Sequence, residues 1–190
     1  MKSTLGIFGR WMVAVAVVAG AASMASAQTN SGAFTVALTG TLSESLTLSL
    51  SANAVTFNLA AGSATNAGGT TVTATTAWVL KPGRTAVKVY AYFNSATAAL
   101  TDGAGDNIPS SAFKITDNGV GGANPLTNTV AFGAANAGLQ LANVAITAAN
   151  RFGNRTDAMA FNIDLSTGTL PQLPAAVYLG TLNIQAQATP

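Results

Sequence analysis

Cysteine and histidine are both absent from this 190-residue chain. Without them, a Ser-His-Asp triad, a Cys-His nucleophile pair, a Cys/His zinc site and a disulfide framework are all excluded. Charge is also scarce: 8 Lys+Arg and 6 Asp+Glu make up 7% of the residues. Lys2 and Arg10 account for the excess of positive charge, so the remainder of the chain is electrically balanced. A balanced, charge-poor surface gives no footprint for nucleic acid or an anionic membrane. No Gly-x-Gly-x-x-Gly motif opens a helix and no phosphate loop with Lys-Ser/Thr is present, so no cofactor is expected.

Long apolar runs are missing as well, with one short exception. Trp11 to Ala22 is apolar, which is less than the roughly 20 residues a membrane-spanning helix needs. Lys2 and Arg10 precede this core, and Ala25-Ser26-Ala27 follows it with small side chains. That order predicts a secretory signal peptide over residues 1–27, cleaved before Gln28. The mature chain is then expected to be exported, to the cell surface, the periplasm or the medium, with no transmembrane segment after cleavage.

What the rest of the chain has is alternation. Phe34-Val36-Leu38, Leu46-Leu48-Leu50, Val55-Phe57-Leu59, Met159-Phe161-Ile163-Leu165 and Tyr178-Gly180-Leu182-Ile184 each repeat with period two. That period buries one face of a strand and leaves the other wet. Gly/Ser/Asn-rich stretches at 60–69, 101–111, 117–128, 133–138 and 166–174 read as loops. The pattern predicts an all-β, antiparallel, immunoglobulin-like β-sandwich of about nine or ten strands, as a single domain over 28–190. Ala142 to Asn150 is compatible with a strand or a short helix, and its β-branched residues favour the strand.

Lys81-Pro82-Gly83-Arg84 reads as a turn. Folding the chain about it pairs Trp78 with Val87 and Ala74 with Ala91 on an inner face. The same pairing puts Lys88, Tyr90 and Tyr92 on the wet face. Two aromatic rings there offer a surface for a partner or a glycan, or simply pack on Thr73 and Thr75 across the ladder. Trp78 reads as core.

Candidate catalytic groups are few. Glu44, Asp102, Asp106, Asp117, Asp157 and Asp164 are the only acids. Asp157 and Asp164 differ by an odd number, so on one strand they point to opposite faces. Glu44 reads as a wet-face residue, and Arg151, Arg155 and Asp157 as the solvated start of a strand. Asp102 to Asn107 lacks the ligand spacing of a calcium loop and reads as a turn. No catalytic or metal-binding set is expected, and the protein is not expected to be an enzyme.

Three segments carry a resemblance: Phe34-Thr35-Val36-Ala37-Leu38, Val55-Thr56-Phe57, and Tyr178-Leu179-Gly180-Thr181-Leu182-Asn183-Ile184. Together with the leader, they resemble the secreted β-sandwich subunits of bacterial surface fibres, the fimbrial and spore-coat-U-like pilins. The resemblance implies an incomplete immunoglobulin-like fold whose groove accepts a strand from the next subunit. Residues 32–42 then form the donor, with Phe34, Val36 and Leu38 filling groove pockets. Read from periodicity alone, 32–42 is equally the first strand of a self-contained domain. The expected role is structural or adhesive, through self-association or other surface proteins. The alternative is a carbohydrate-binding module that uses the Tyr90/Tyr92 face.

Overall fold

A computed structural model describes residues 29–190. The predicted signal peptide, 1–27, lies outside the described residues. The chain divides into Met1–Gly40 and Thr41–Pro190. In the first unit, residues 29–40 form no helix or strand and their side chains are exposed.

The second unit is all-β. Its strands are β1 (Ser45–Leu50), β2 (Asn66–Ala67), β3 (Val72–Val79), β4 (Ala86–Tyr92), β5 (Leu100–Thr101), β6 (Asn107–Ile108), β7 (Phe113–Asp117), β8 (Val120–Pro125), β9 (Gly138–Ala145), β10 (Phe152–Ile163) and β11 (Asn183–Thr189). Eleven strands exceed the sequence expectation because β2, β5 and β6 are only two residues long. One sheet runs β1-β3-β10-β7-β8, with β2 added to the far end of β10; a second runs β11-β4-β9. All their ladders are antiparallel.

Period-two chemistry builds these strands as expected. In β3, Val72, Ala74, Thr76 and Trp78 are buried while the residues between them are partly or fully exposed. In β10, Asp157, Met159, Phe161 and Ile163 are buried. Val87, Val89 and Ala91 of β4 are buried too. Residues from both sheets make the main core, including Val72, Ala91, Phe93, Phe113, Met159 and Phe161. A second cluster, Trp78, Leu80, Val87 and Ile146, closes the opposite end.

The expected β3–β4 hairpin is not formed. β3 lies between β1 and β10, whereas β4 lies between β11 and β9 in the other sheet. The Pro82-Gly83 turn, with Gly83 at φ 96°, carries the chain from one sheet to the other. A type II Pro-Gly turn matches hairpin twist poorly. Trp78 and Val87 still meet, but across the interior rather than along a ladder. The residues expected on the inner faces of β3 and β4 are therefore buried, although the pairing differs and Tyr90, expected on the wet face, is buried too.

Two further differences are local, and between them the favoured strand reading of 142–150 holds as far as Ala145. The expected loop over 117–128 contains β8, joined to β7 through Asn118 and Gly119 at φ 50° and 69°. Two positive φ values at an Asn-Gly pair are what a tight type I′ hairpin requires. Strand β9 ends at Ala145, and Asn150 Oδ1 then accepts the Thr147 N–H at 2.7 Å in a turn, so 142–150 contains no helix. Finally, Val55–Leu59 and 178–182 lie outside any strand and make only isolated bridges, Phe57 to Gly68 and Thr101 to Leu179. No helix among the described residues is long and apolar enough to cross a membrane.

Candidate functional site: an open apolar groove

Among the described residues, strands β1 and β11 are each edge strands, paired only with β3 and β4 respectively. Beyond Leu50, at the end of β1, the chain runs irregularly from Ala52 to Leu59. Before β11 it runs irregularly from Ala176 to Leu182. These two segments wall a groove of about 730 Å³. Its floor is the main core itself: Phe93, Leu100, Phe113, Met159 and Phe161. Three edge-to-face or tilted ring contacts hold that floor, with Phe113 against Phe57, Phe93 and Phe161 at 5.8, 5.2 and 5.7 Å.

Among the described residues, no charged side chain lines the groove. Val177 and Leu179 on one wall are 75% and 69% exposed, and Leu50 at the other is 42% exposed. Exposed apolar side chains grouped around an opening to the core mark an interaction site more often than scattered ones do. Gly180 is required where the wall turns inward, since a Cβ there would overlap the carbonyl oxygen of Ala99.

The other predicted site is built differently from expectation. Lys88, Tyr90 and Tyr92 lie on β4, but Tyr90 is only 6% exposed. Phe132 packs on both tyrosines, with centroids 5.9 Å from each. Tyr92 Oη donates to Gln185 Oε1 at 2.8 Å. The flat, open aromatic face is thus covered by a loop residue that the pairing argument did not contain. Gly133, next to Phe132 at φ 77°, lets that loop lie against the Tyr92 ring.

The acids have separate structural duties. Glu44 forms a fork with Arg84 Nε and Nη2 at 2.7 and 3.1 Å, and Lys81 lies 3.7 Å away. Hydrogen bonding from Arg84 holds its carboxyl below the usual range. Asp102 Oδ1 accepts the N–H groups of Ala104, Gly105 and Asp106, which is the expected turn. Asp157 corrects the reading of a solvated strand start. Its side chain is fully buried and paired with Arg155, because it sits on the inner face of β10 between the two apolar clusters. Burial, followed by the charge of Asp157, pushes the Asp117 carboxyl up, and Arg155 opposes that shift. Asp164 is held down to about 2 by hydrogen bonds from Lys114 and Ser166. Among the described residues, no three acidic groups gather as a metal site.

No protein-family model, curated protein or solved structure matches this chain.

Proposed function

We propose that the protein is an exported structural subunit of a surface fibre, with an incomplete immunoglobulin-like β-sandwich that is completed by strand addition. The carrying observation is the uncharged groove over an open core, bordered by the single-partner strand β11. An added strand would bond to the free edge of β11 and cover the floor rings with its alternate side chains.

The donor in this reading is residues 32–42 of a second copy. Phe34, Val36 and Leu38 are 95%, 81% and 90% exposed. They share one side of an extended chain, and residues 29–43 carry no charge, in keeping with an uncharged groove. Burying each such side chain is worth about 1.5–3 kcal/mol, which offsets the entropy of ordering the segment. Because donor and acceptor are different surfaces, the contact is heterologous and propagates into an open filament. The signal peptide over 1–27 fits a role outside the cytoplasm. No catalytic chemistry is part of this reading.

The test is to delete residues 28–42 and measure mass by light scattering. The expected product is a folded monomer that no longer oligomerises but binds an added peptide of residues 32–42. A full-length protein that stays monomeric at every concentration, or a deletion variant that fails to bind the peptide, would sink the proposal.

A further inference from the structure

We propose that successive copies of the chain also meet end to end, with the Arg151 end of one seated on the Asp102 and Asp106 rim of the next copy's groove. This rests on the fibre reading and adds to it a second contact, which orients the subunits. The two places lie beyond opposite ends of β1. Ser45 at its start, Val79 of β3 and Phe152 of β10 stand opposite one another. Arg151 belongs to that end, where its carbonyl accepts the Leu80 N–H at 2.8 Å. β1 then runs to Leu50, which lines the groove. At the groove, the reciprocal Thr101–Leu179 bonds tie the β5–β6 hairpin to the wall, with Asp102 and Asp106 in the hairpin's turn. Burial, then the charges of Asp106 and Asp102, raises the pKa of Tyr178 in that wall, so both acids act on the groove's edge.

Charge is divided unequally between these ends. Among the described residues, Arg151 and Lys88 are the cations in no ion pair, and Asp102 and Asp106 are the acids in none. Lys88 stands in the middle of β4, opposite Gln187 and Asn143. At the Arg151 end, Lys81 and Arg84 share the carboxylate of Glu44, so that end is positive. Beside the groove, Lys114 and Asp164 cancel each other, which leaves the rim negative. Opposite signs at two ends make the chain complementary to a second copy of itself and favour a head-to-tail approach. Apolar surface accompanies the charge: Phe152 is 80% exposed at one end, and Val177 and Leu179 are 75% and 69% exposed at the other.

Connectivity enforces the contact. The donor segment ends at Leu42, and only Ser43 and Glu44 separate it from Ser45. An extended chain covers at most roughly 3.3–3.6 Å per residue. Arg84 also pins the Glu44 carboxylate, at 2.7 and 3.1 Å. When residues 32–42 fill a neighbour's groove, the Arg151 end must therefore come against that groove's rim.

The experiment follows association of the full-length protein by light scattering at low and high salt, in the parent, Arg151→Glu, Asp106→Lys and the double variant. Each single variant should associate severalfold more slowly than the parent at low salt, and the difference should shrink at high salt as exposed charges are screened. The double variant should recover, because the exchanged charges meet again. A peptide of residues 32–42 carries no charge and neither end, so it should cap the growth of all four proteins alike. If the single variants associate as the parent does while the peptide still caps growth, the end-to-end contact is overturned and the fibre reading stands. A double variant no faster than the single ones overturns the contact in the same way. A parent that never associates, or whose growth the peptide fails to cap, overturns the fibre reading and this inference with it.

Discussion

Arg155 reaches along β10 to Asp157 and places Nε and Nη2 at 2.6 and 2.5 Å from one carboxylate oxygen. Asp157 has no exposed surface. Asn118 Nδ2 approaches the same oxygen at 3.3 Å, while the other oxygen has no hydrogen-bond partner among the described residues. Thr76, directly across from Arg155 on β3, is also buried with its hydroxyl unpaired. A polar layer therefore divides the Trp78 cluster from the main core. Removing Arg155, whose side chain is 34% exposed, strands the buried charge of Asp157.

Arg155→Met is accordingly expected to lower unfolding free energy by about 3–5 kcal/mol, the usual cost of orphaning a buried ion. The double variant Arg155→Met/Asp157→Leu should lose less, because the buried charge of Asp157 goes with its partner and only Asp117, 3.8 Å from Arg155, is left without its cation. Urea titrations of the three proteins check both statements.

The pKa of Asp117 is shifted in the opposite direction to those of Glu44, Asp102 and Asp164. Its folded pKa is raised, first by burial and then by Asp157. A raised pKa contributes stability that is present below the unfolded value, about 3.9, and is lost as pH rises through the folded value. Asp117→Asn removes that loss. The variant should gain stability over the parent at neutral pH, and the gain should shrink toward pH 3, as measured by melting at several pH values.

Asp164 shows the common sign. Its folded value of about 2 lies below the unfolded value of about 3.9. Its contribution is therefore present above pH 4 and lost as pH falls toward 2. Asp164→Asn should melt lower than the parent near neutrality, and the two curves should converge at the acid end.

Gly180→Ala tests the groove wall. A Cβ at this position runs into the backbone of Ala99, and the reciprocal Thr101–Leu179 bonds of 2.9 and 2.8 Å lie one residue away. The wall must shift while both sheets stay paired. In the fibre-subunit reading, sedimentation should show weaker self-association, and circular dichroism should show the strand signal retained.

Residues 55–59 and 178–182 provide a last test. Both alternate like strands, yet neither joins a ladder in the single chain. On assembly by strand addition their unbonded amides should become protected from hydrogen exchange, whereas the Leu179 N–H already donates to Thr101. Unchanged exchange in purified oligomers would mean that association uses another surface.

The legible part of this protein was the direction each strand faces. Val72, Ala74 and Trp78, or Met159, Phe161 and Ile163, announce a buried face by spacing alone, and all are buried. The Asn118-Gly119 hairpin was also legible in principle, since two positive φ values at Asn-Gly need no distant partner. The covering of Tyr90 was not, because Phe132 lies some forty residues further along and no local pattern points it there.

Alternation, turn residues and the shortage of charge thus determined by themselves that the chain forms strands and which side of each turns inward. Only the tertiary structure decided that β3 and β4 belong to different sheets, that Asp157 is sealed inside with Arg155, and that two strand-like segments wall an open groove. The reason is physical. Period two records which face of a segment avoids water, a local property, whereas the choice of neighbour depends on edges brought together from distant parts of the chain.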